Sequence, residues 1–259
     1  MMESVEIAPV SGGLDSSIML LFLTGYLSGG ITADVTPVFT DPGMEDPRTY
    51  AMLDVLEQMT GKEIVRLKGP SWTDALEANA WFLPYHRARW CTPTFKIKPF
   101  EAWVGKQIVM SYIGLRADEE ERVGYLGDRG HAITPRYPLR EMGITRADIE
   151  SEARRIGLPP TGDWSCACCP FKTHFLQTEM IERQPDIAEW MAWVEEEKQK
   201  RGAGGYTWIR GYKMRDLIDN AVLRADIRRR WWGKNQSEDQ LSFLDDEPEL
   251  SPCLMCRVK

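Results

Sequence analysis

Between two hydrophobic runs the chain reads Val10-Ser11-Gly12-Gly13-Leu14-Asp15-Ser16-Ser17-Ile18. Glycines let a backbone curl until successive N–H groups converge. Serine hydroxyls add donors with little bulk, and a helix opening near Leu14 would add the partial positive charge of its N-terminus. That is chemistry for holding phosphate. Hydrogen bonds to a charged group contribute about 1.5–3 kcal/mol each, so three or four would fix a pyrophosphate. No lysine follows the glycines, as the GxxxxGK[ST] loop requires, and the spacing is not GxGxxG. A tight strand-to-helix turn that merely needed glycine is the plainer reading, but it leaves the serines and Asp15 without a purpose.

The thiols are the second cluster. Cys166 and Cys169 form a C-x-x-C with Cys168 inside it, Cys253 and Cys256 form another, and Cys91 stands alone. Two thiolates at this spacing can bend around one metal ion. Four of Cys91, Cys166, Cys169, Cys253 and Cys256 could therefore ligate zinc or a [4Fe–4S] cluster; the alternative is scattered buried thiols. Cys168 is either a nucleophile or a packed neighbour. His86, His131 and His174 show no ligand spacing and are expected to be structural or exposed.

These groups need a scaffold. Short β-rich runs at 4–10, 33–40, 62–68 and 107–114 alternate with helical patterns such as the Met52, Leu53, Leu56, Met59 stripe. The alternation predicts an α/β fold, a parallel sheet flanked by helices. Residues 145–157 read as a helix, with Thr145 and Asp148 as a capping box and Gly157 as its stop. "PPTGDW" then breaks the chain, giving a nucleotide-binding domain over 1–162 and a mostly helical, cysteine-containing C-terminal part over 163–259. In that part a helix is expected from Pro185, with Ile187, Trp190, Met191 and Val194 on one face, before "GAGG" (202–205) as a joint. Residues 206–235 carry eight Lys or Arg against three Asp, interleaved with aromatics, and the next fifteen hold six acids and no base. Arginine–aromatic mixtures suit bases and phosphates; an amphipathic helix packing Trp231 and Trp232 would have the same composition.

The bulk numbers set limits. At 259 residues and 43% hydrophobic, the chain can bury a sizeable core, and a net charge of −7 argues against a general polycation for nucleic acid. The opening "MMESVEIAPV" lacks a secretory pattern, and the longest apolar run, Ile18 to Leu23, is far short of the ~20 residues of a membrane helix. Six cysteines in that setting point to a reducing cytoplasm and no membrane partner.

Ser-Gly-Gly-X-Asp-Ser resembles the PP-loop of ATP pyrophosphatases, which split ATP between its α and β phosphates. Further segments resemble the phosphoadenosine phosphosulfate (PAPS) reductase-like family of phage and bacterial type: "FTDPGMEDPRTY" (39–50), "RWCTPTFKIKPFEAWVG" (89–105), "YIGLRADEEERVG" (112–124) and "YPLREMGITRADIESEARRIGLPPTGDWSCACCPF" (137–171). Pro42 stands where that family usually has threonine in Asp-Thr-Gly. The resemblance covers roughly residues 5 to 195. It implies an adenine nucleotide alpha hydrolase-like fold that binds ATP and Mg²⁺. Ser11, Gly12, Gly13, Asp15, Ser16, Ser17, Asp41, Gly43 and Arg116 would be at the nucleotide, with Asp15 and Arg116 catalytic. Arg116 could clamp phosphate bidentately or pair with the acids that follow it. Asp41 could hold Mg²⁺ or ribose, or cap its loop. Lys96 and Lys98 could serve phosphate or nucleic acid, or be solvated.

Three functions compete. The first is an ATP-dependent transferase that adenylates a substrate, a nucleic acid or nucleotide among the candidates, for sulfur or nitrogen transfer, with a sulfur-donor protein as a candidate partner. The second is a PAPS- or APS-type sulfonucleotide reductase, whose Glu-Cys-Gly-X-His tail is missing from "SPCLMCRVK". The third is a non-catalytic binding module with structural zinc, which would not need the loop's full set of residues.

Overall fold

The computed structural model describes residues 4–122, 133–161, 164–204 and 206–234, without the side chains of 232–234. These residues divide into two compact units, one holding 4–69 and 92–164, the other 70–91 and 165–234.

The first unit is built on strands β1 (Val5–Pro9), β2 (Thr36–Asp41), β3 (Val65–Lys68), β4 (Val109–Tyr112) and β5 (Ile133–Arg136). They form one sheet in the order β3-β2-β1-β4-β5, with every pairing parallel. Helices α1 (Leu14–Leu23), α2 (Pro47–Thr60), α4 (Lys98–Val104), α5 (Pro138–Glu141) and α6 (Arg146–Ile156) belong to this unit, and a wide helical turn at Pro93–Ile97 leads into α4. Alternate residues feed opposite faces of the sheet. Ala8 and Phe39 join Ile18, Leu21, Leu53 and Ile149 in one core; Ile7 and Val38 join Phe100, Val104 and Val109 in the other. The expected α/β architecture is therefore present, and it accounts for the near-continuous apolar runs of the central strands.

Local signals explain the ends of several elements. Thr145 Oγ1 accepts from the Asp148 N–H while Asp148 accepts from the Thr145 N–H, a complete capping box, and Gly157 closes α6 at φ 78°. Asp46 caps α2, with Pro47 in the first turn and Gly61 at φ 67° at the other end. The fifth strand was not anticipated: Pro135 lies within its four residues, a composition that signals against a strand yet is tolerated at a sheet edge.

The second unit contains α3 (Trp72–Ala78), α7 (His174–Arg183), α8 (Pro185–Lys200), α9 (Met214–Asp219) and α10 (Ala221–Lys234). The helical C-terminal part is thus present, and residues 70–91 group with it. Packing gives the reason: Trp72, 6% exposed, meets Trp90, Trp190 and Trp208 edge-on at 5.9, 6.0 and 6.2 Å. Lys198, 3% exposed, donates to the carbonyls of Gly204 (3.2 Å) and Tyr206 (2.7 Å).

Candidate functional site

In an open parallel sheet, ligands bind outside the C-terminal ends of the strands, where the strand order reverses. Here the chain winds one way from β1 through β2 to β3 and then crosses back, so the reversal lies between β1 and β4. Ser11–Gly13 leave β1 at that point and Gly114–Arg116 leave β4 beside it.

The loop after β1 is shaped by its own residues. Gly12 takes φ 76°, and a Cβ there would lie 2.8 Å from Thr49 Cγ2, so both conformation and space call for glycine. The Ser11 N–H donates to Ser16 Oγ (3.1 Å) and the Gly13 N–H to Ser11 Oγ (3.4 Å). Ser16 and Ser17 hydroxyls donate back to the Gly13 carbonyl at 3.1 and 2.8 Å. Both serines are buried, at 5% and 0% exposure, so in this structure they hold the curl of the loop.

Gly13 is the N-cap of α1 and has no side chain with which to cap it. The vacancy is met from 147 positions away: the Leu14 N–H donates to Thr161 Oγ1 at 3.1 Å. Gly114 closes the other side, where a Cβ would sit 3.2 Å from the Ser16 backbone. Sequence reasoning missed both residues. Gly114 was visible as a glycine directly after a strand, whereas no local signal marks Thr161, whose role exists only through folding.

Asp15 and Arg116 meet. Arg116 Nη1 donates to Asp15 Oδ2 at 2.7 Å, and its Nε donates to Asp118 Oδ1 at 3.0 Å. Its backbone N–H donates to Glu119 Oε2 at 3.0 Å. The guanidinium is 6% exposed and the Asp15 carboxylate 26%. Burial, the largest single influence, raises the Asp118 carboxyl, but the hydrogen bond to Arg116, the charge of that guanidinium and backbone N–H donors together hold it below the usual carboxylate range. Of the two roles open to Arg116, pairing with acids is the one seen here.

The second loop follows β2. Asp41, buried at 8% exposure, accepts at one oxygen, Oδ1, from the Gly43 N–H and the Tyr50 hydroxyl, each at 2.7 Å. Burial first, then that bond to Asp41, pushes the Tyr50 phenol above its ordinary value. Gly43 has φ 72° and open space around it. Glu45, also buried, pairs with Lys96 Nζ at 3.3 Å; Lys98 is exposed. The "PPTGDW" break, read only as a boundary, supplies Trp164 as well as Thr161: Arg48, from the first turn of α2, lies 5.1 Å over the Trp164 ring.

The thiols belong to the second unit. The Cys169 N–H donates to the Cys166 carbonyl at 2.9 Å, closing the turn that carries the C-x-x-C. Lys172, 7% exposed, staples this turn by donating to the carbonyls of Ser165 (2.8 Å) and Cys166 (3.2 Å). Arg89 lies 4.8 Å over the Phe171 ring, linking the segment that ends at Cys91 to the segment after Cys169. Cys168 is buried at 2% exposure. Cys253 and Cys256 lie outside the described residues, as does His131. Among the described residues no three His, Cys, Asp or Glu side chains converge as a metal set.

The basic, aromatic C-terminal segment divides in two. In α10, Arg228 Nε donates to Thr178 Oγ1 at 2.9 Å and its Nη2 pairs with Glu182 at 2.9 Å, while Trp231 stacks on Phe175 at 4.8 Å. That stretch packs the helix on α7. Residues 206–215 mix buried Trp208, Ile209 and Met214 with exposed Tyr206, Arg210 and Lys213. His174, exposed at the start of α7 as expected, has its ring edge-on to Tyr212.

A doubly flanked parallel sheet with a glycine-shaped loop at its reversal point is the class of protein defined here. No family model matches the chain. It is 28% identical over 112 residues to the uncharacterized protein MJ0066 of Methanocaldococcus jannaschii, a match spanning 42% of this chain and only 22% of that protein. The structure is similar to phosphoadenylyl-sulfate (PAPS) reductase from Candida auris in its phosphate complex, at 15% identity and a TM-score of 0.48, covering 61% of this chain and 75% of that one. Among the described residues no helix is long and apolar enough to cross a membrane.

Proposed function

We propose that the chain is a PP-loop ATP pyrophosphatase that adenylates a substrate for sulfur or nitrogen transfer. The observation that carries this reading is the loop after β1: Gly12 at positive φ, Gly13 capping α1 without a side chain, and Asp15 held by Arg116, all at the reversal point of the sheet. A substrate oxygen attacks the α-phosphorus of ATP, the α–β bridging P–O bond breaks, and pyrophosphate leaves with the electron pair. A sulfur or nitrogen nucleophile then displaces AMP, which carries that oxygen away. Loop N–H groups and the N-terminus of α1 favour the charge that builds on the leaving pyrophosphate.

Ser11, Gly12, Gly13, Ser16, Ser17 and Gly43 shape the nucleotide pocket, with Asp15, Asp41 and Arg116 disposing its charge and Mg²⁺ accompanying ATP. Cys91, Cys166 and Cys169, joined by Cys253 and Cys256, are the ligand candidates for zinc or a [4Fe–4S] cluster, which would order the thiols or carry electrons or sulfur. A nucleic acid or nucleotide is the favoured acceptor, a sulfur-donor protein the candidate partner, and the cytoplasm the expected compartment.

The test is product analysis under anaerobic conditions. AMP and pyrophosphate formed from Mg·ATP in the presence of candidate acceptors support the reading. Sulfite released from PAPS or APS with a thiol reductant, and no pyrophosphate from ATP, would replace it with the sulfonucleotide reductase.

A further inference from the structure

The chain is acidic overall, yet two stretches of the second unit's surface sequence contain no acid. Residues 78–91 hold Arg87 and Arg89, and residues 198–215 hold six Lys or Arg, in a protein of net charge −7. Each stretch forms a short bridged turn, Tyr85 with Ala88 and Ile209 with Tyr212. Each turn raises an exposed arginine at its tip, Arg87 in one and Arg210 in the other. Among the described residues neither makes an ion pair, whereas Arg224 and Arg228 of α10 pair with Glu182 of α7.

Close to each tip in sequence is a tyrosine, and the two tyrosines meet. Tyr206 is 58% exposed and lies parallel to Tyr85, with ring centroids 5.8 Å apart and planes 9° apart. His86 is exposed beside Tyr85. The buried rings of this unit meet mostly edge-on, whereas this exposed pair is parallel; Lys198 Nζ lies 5.9 Å from the Tyr206 ring centroid. Arg210 follows Tyr206 by four residues and Arg87 follows Tyr85 by two, so chain geometry keeps the arginine Cα atoms within about 14 Å and about 7 Å of the Cα atoms of those tyrosines.

We propose that this face binds single-stranded nucleic acid, with an unpaired base stacked on the Tyr206–Tyr85 pair and flanking phosphates held by Arg87 and Arg210. Stacking needs a base face that a duplex hides, and two exposed arginines without an ion pair attract the phosphate backbone even though Glu189, Glu195 and Glu196 of α8 engage neighbouring residues of the second turn. The proposal rests on the nucleic-acid reading of the acceptor and gives that acceptor a class and a docking surface.

Fluorescence anisotropy with labelled 12-nucleotide DNA and RNA strands, their duplexes and a mononucleotide tests it on the full chain. Binding of either strand in preference to its duplex and to the mononucleotide is expected. Tyr206→Ala should weaken strand binding by about 5- to 100-fold, and Tyr206→Phe, which keeps the ring, should restore it. Arg87→Ala with Arg210→Ala should lower the slope of log affinity against log salt by about 0.7 per arginine. Tyr26→Ala, at an exposed tyrosine of the other unit, should change nothing. Absence of strand binding, indifference to Tyr206→Ala, or an equal loss in Tyr26→Ala overturns the proposal. ATP cleavage is followed separately: its absence with strand binding intact removes the adenylation reading alone, and its presence without strand binding removes this surface alone.

Discussion

Arg116 and Asp15 are joined at 2.7 Å across 101 residues of sequence, the guanidinium nearly buried and the carboxylate a quarter exposed. The pair ties the exit of β4 to the first turn of α1, so the loop between β1 and α1 is clamped from the neighbouring strand. Removing one partner of a buried pair leaves the other charge uncompensated, at a cost of about 3–5 kcal/mol. Because Asp15 is partly solvated, Arg116→Met is expected to lose about 2–4 kcal/mol by urea unfolding, and Asp15→Asn less.

Gly12→Ala should be more damaging to the loop than its single methyl suggests. The residue would be held at φ 76° with Cβ 2.8 Å from Thr49 Cγ2 and 3.3 Å from the Thr49 carbonyl oxygen. A cost of about 1–3 kcal/mol is expected from the backbone alone. Gly43→Ala shares the positive φ but meets nothing within 4 Å, and should therefore cost less in the same unfolding measurement.

Thr161 is the cap that α1 lacks locally. Thr161→Val keeps the shape and removes the acceptor for the Leu14 N–H, which should destabilise the first unit by about 0.5–2 kcal/mol, with Thr161→Ser recovering most of it. Equal unfolding midpoints for Thr161→Val and the unaltered chain would remove this role.

His174 supplies a pH dependence. Partial desolvation of the ring, on an otherwise exposed residue, holds its imidazole below the ordinary value of 6.5, so the folded chain binds that proton less readily than the unfolded one. Its contribution is fully present above pH 6.5 and is lost as pH falls through the lowered value. Unfolding midpoints should therefore decline below about pH 6.5, and His174→Gln should flatten that decline.

Much of this was legible in the chain. Strict local chemistry announced β1 to β4, the Thr145–Asp148 capping box and the glycine loop, because each depends on neighbours in sequence. The paired state of Arg116 was legible only as one of two options, since the acids after it are adjacent but Asp15 is not. Thr161 and the joining of 70–91 to the helical unit through Trp72 were not legible at all. Both arise from contacts between residues more than a hundred positions apart, and no spacing rule reaches that far. The C-x-x-C turn was readable, but the lysine that staples it, Lys172, becomes evident only once its burial and three acceptors are seen.

The claim that the loop after β1 holds ATP is tested most directly by thermal unfolding of anaerobically purified protein with Mg·ATP, PAPS, APS and AMP. A ligand at a hundred times its Kd adds ~2.7 kcal/mol. For a chain of this size that corresponds to a rise of about 5–10 °C. The account predicts such a rise with Mg·ATP, absent in Gly12→Ala and absent with the sulfonucleotides. Stabilisation by PAPS or APS with none by Mg·ATP would contradict it.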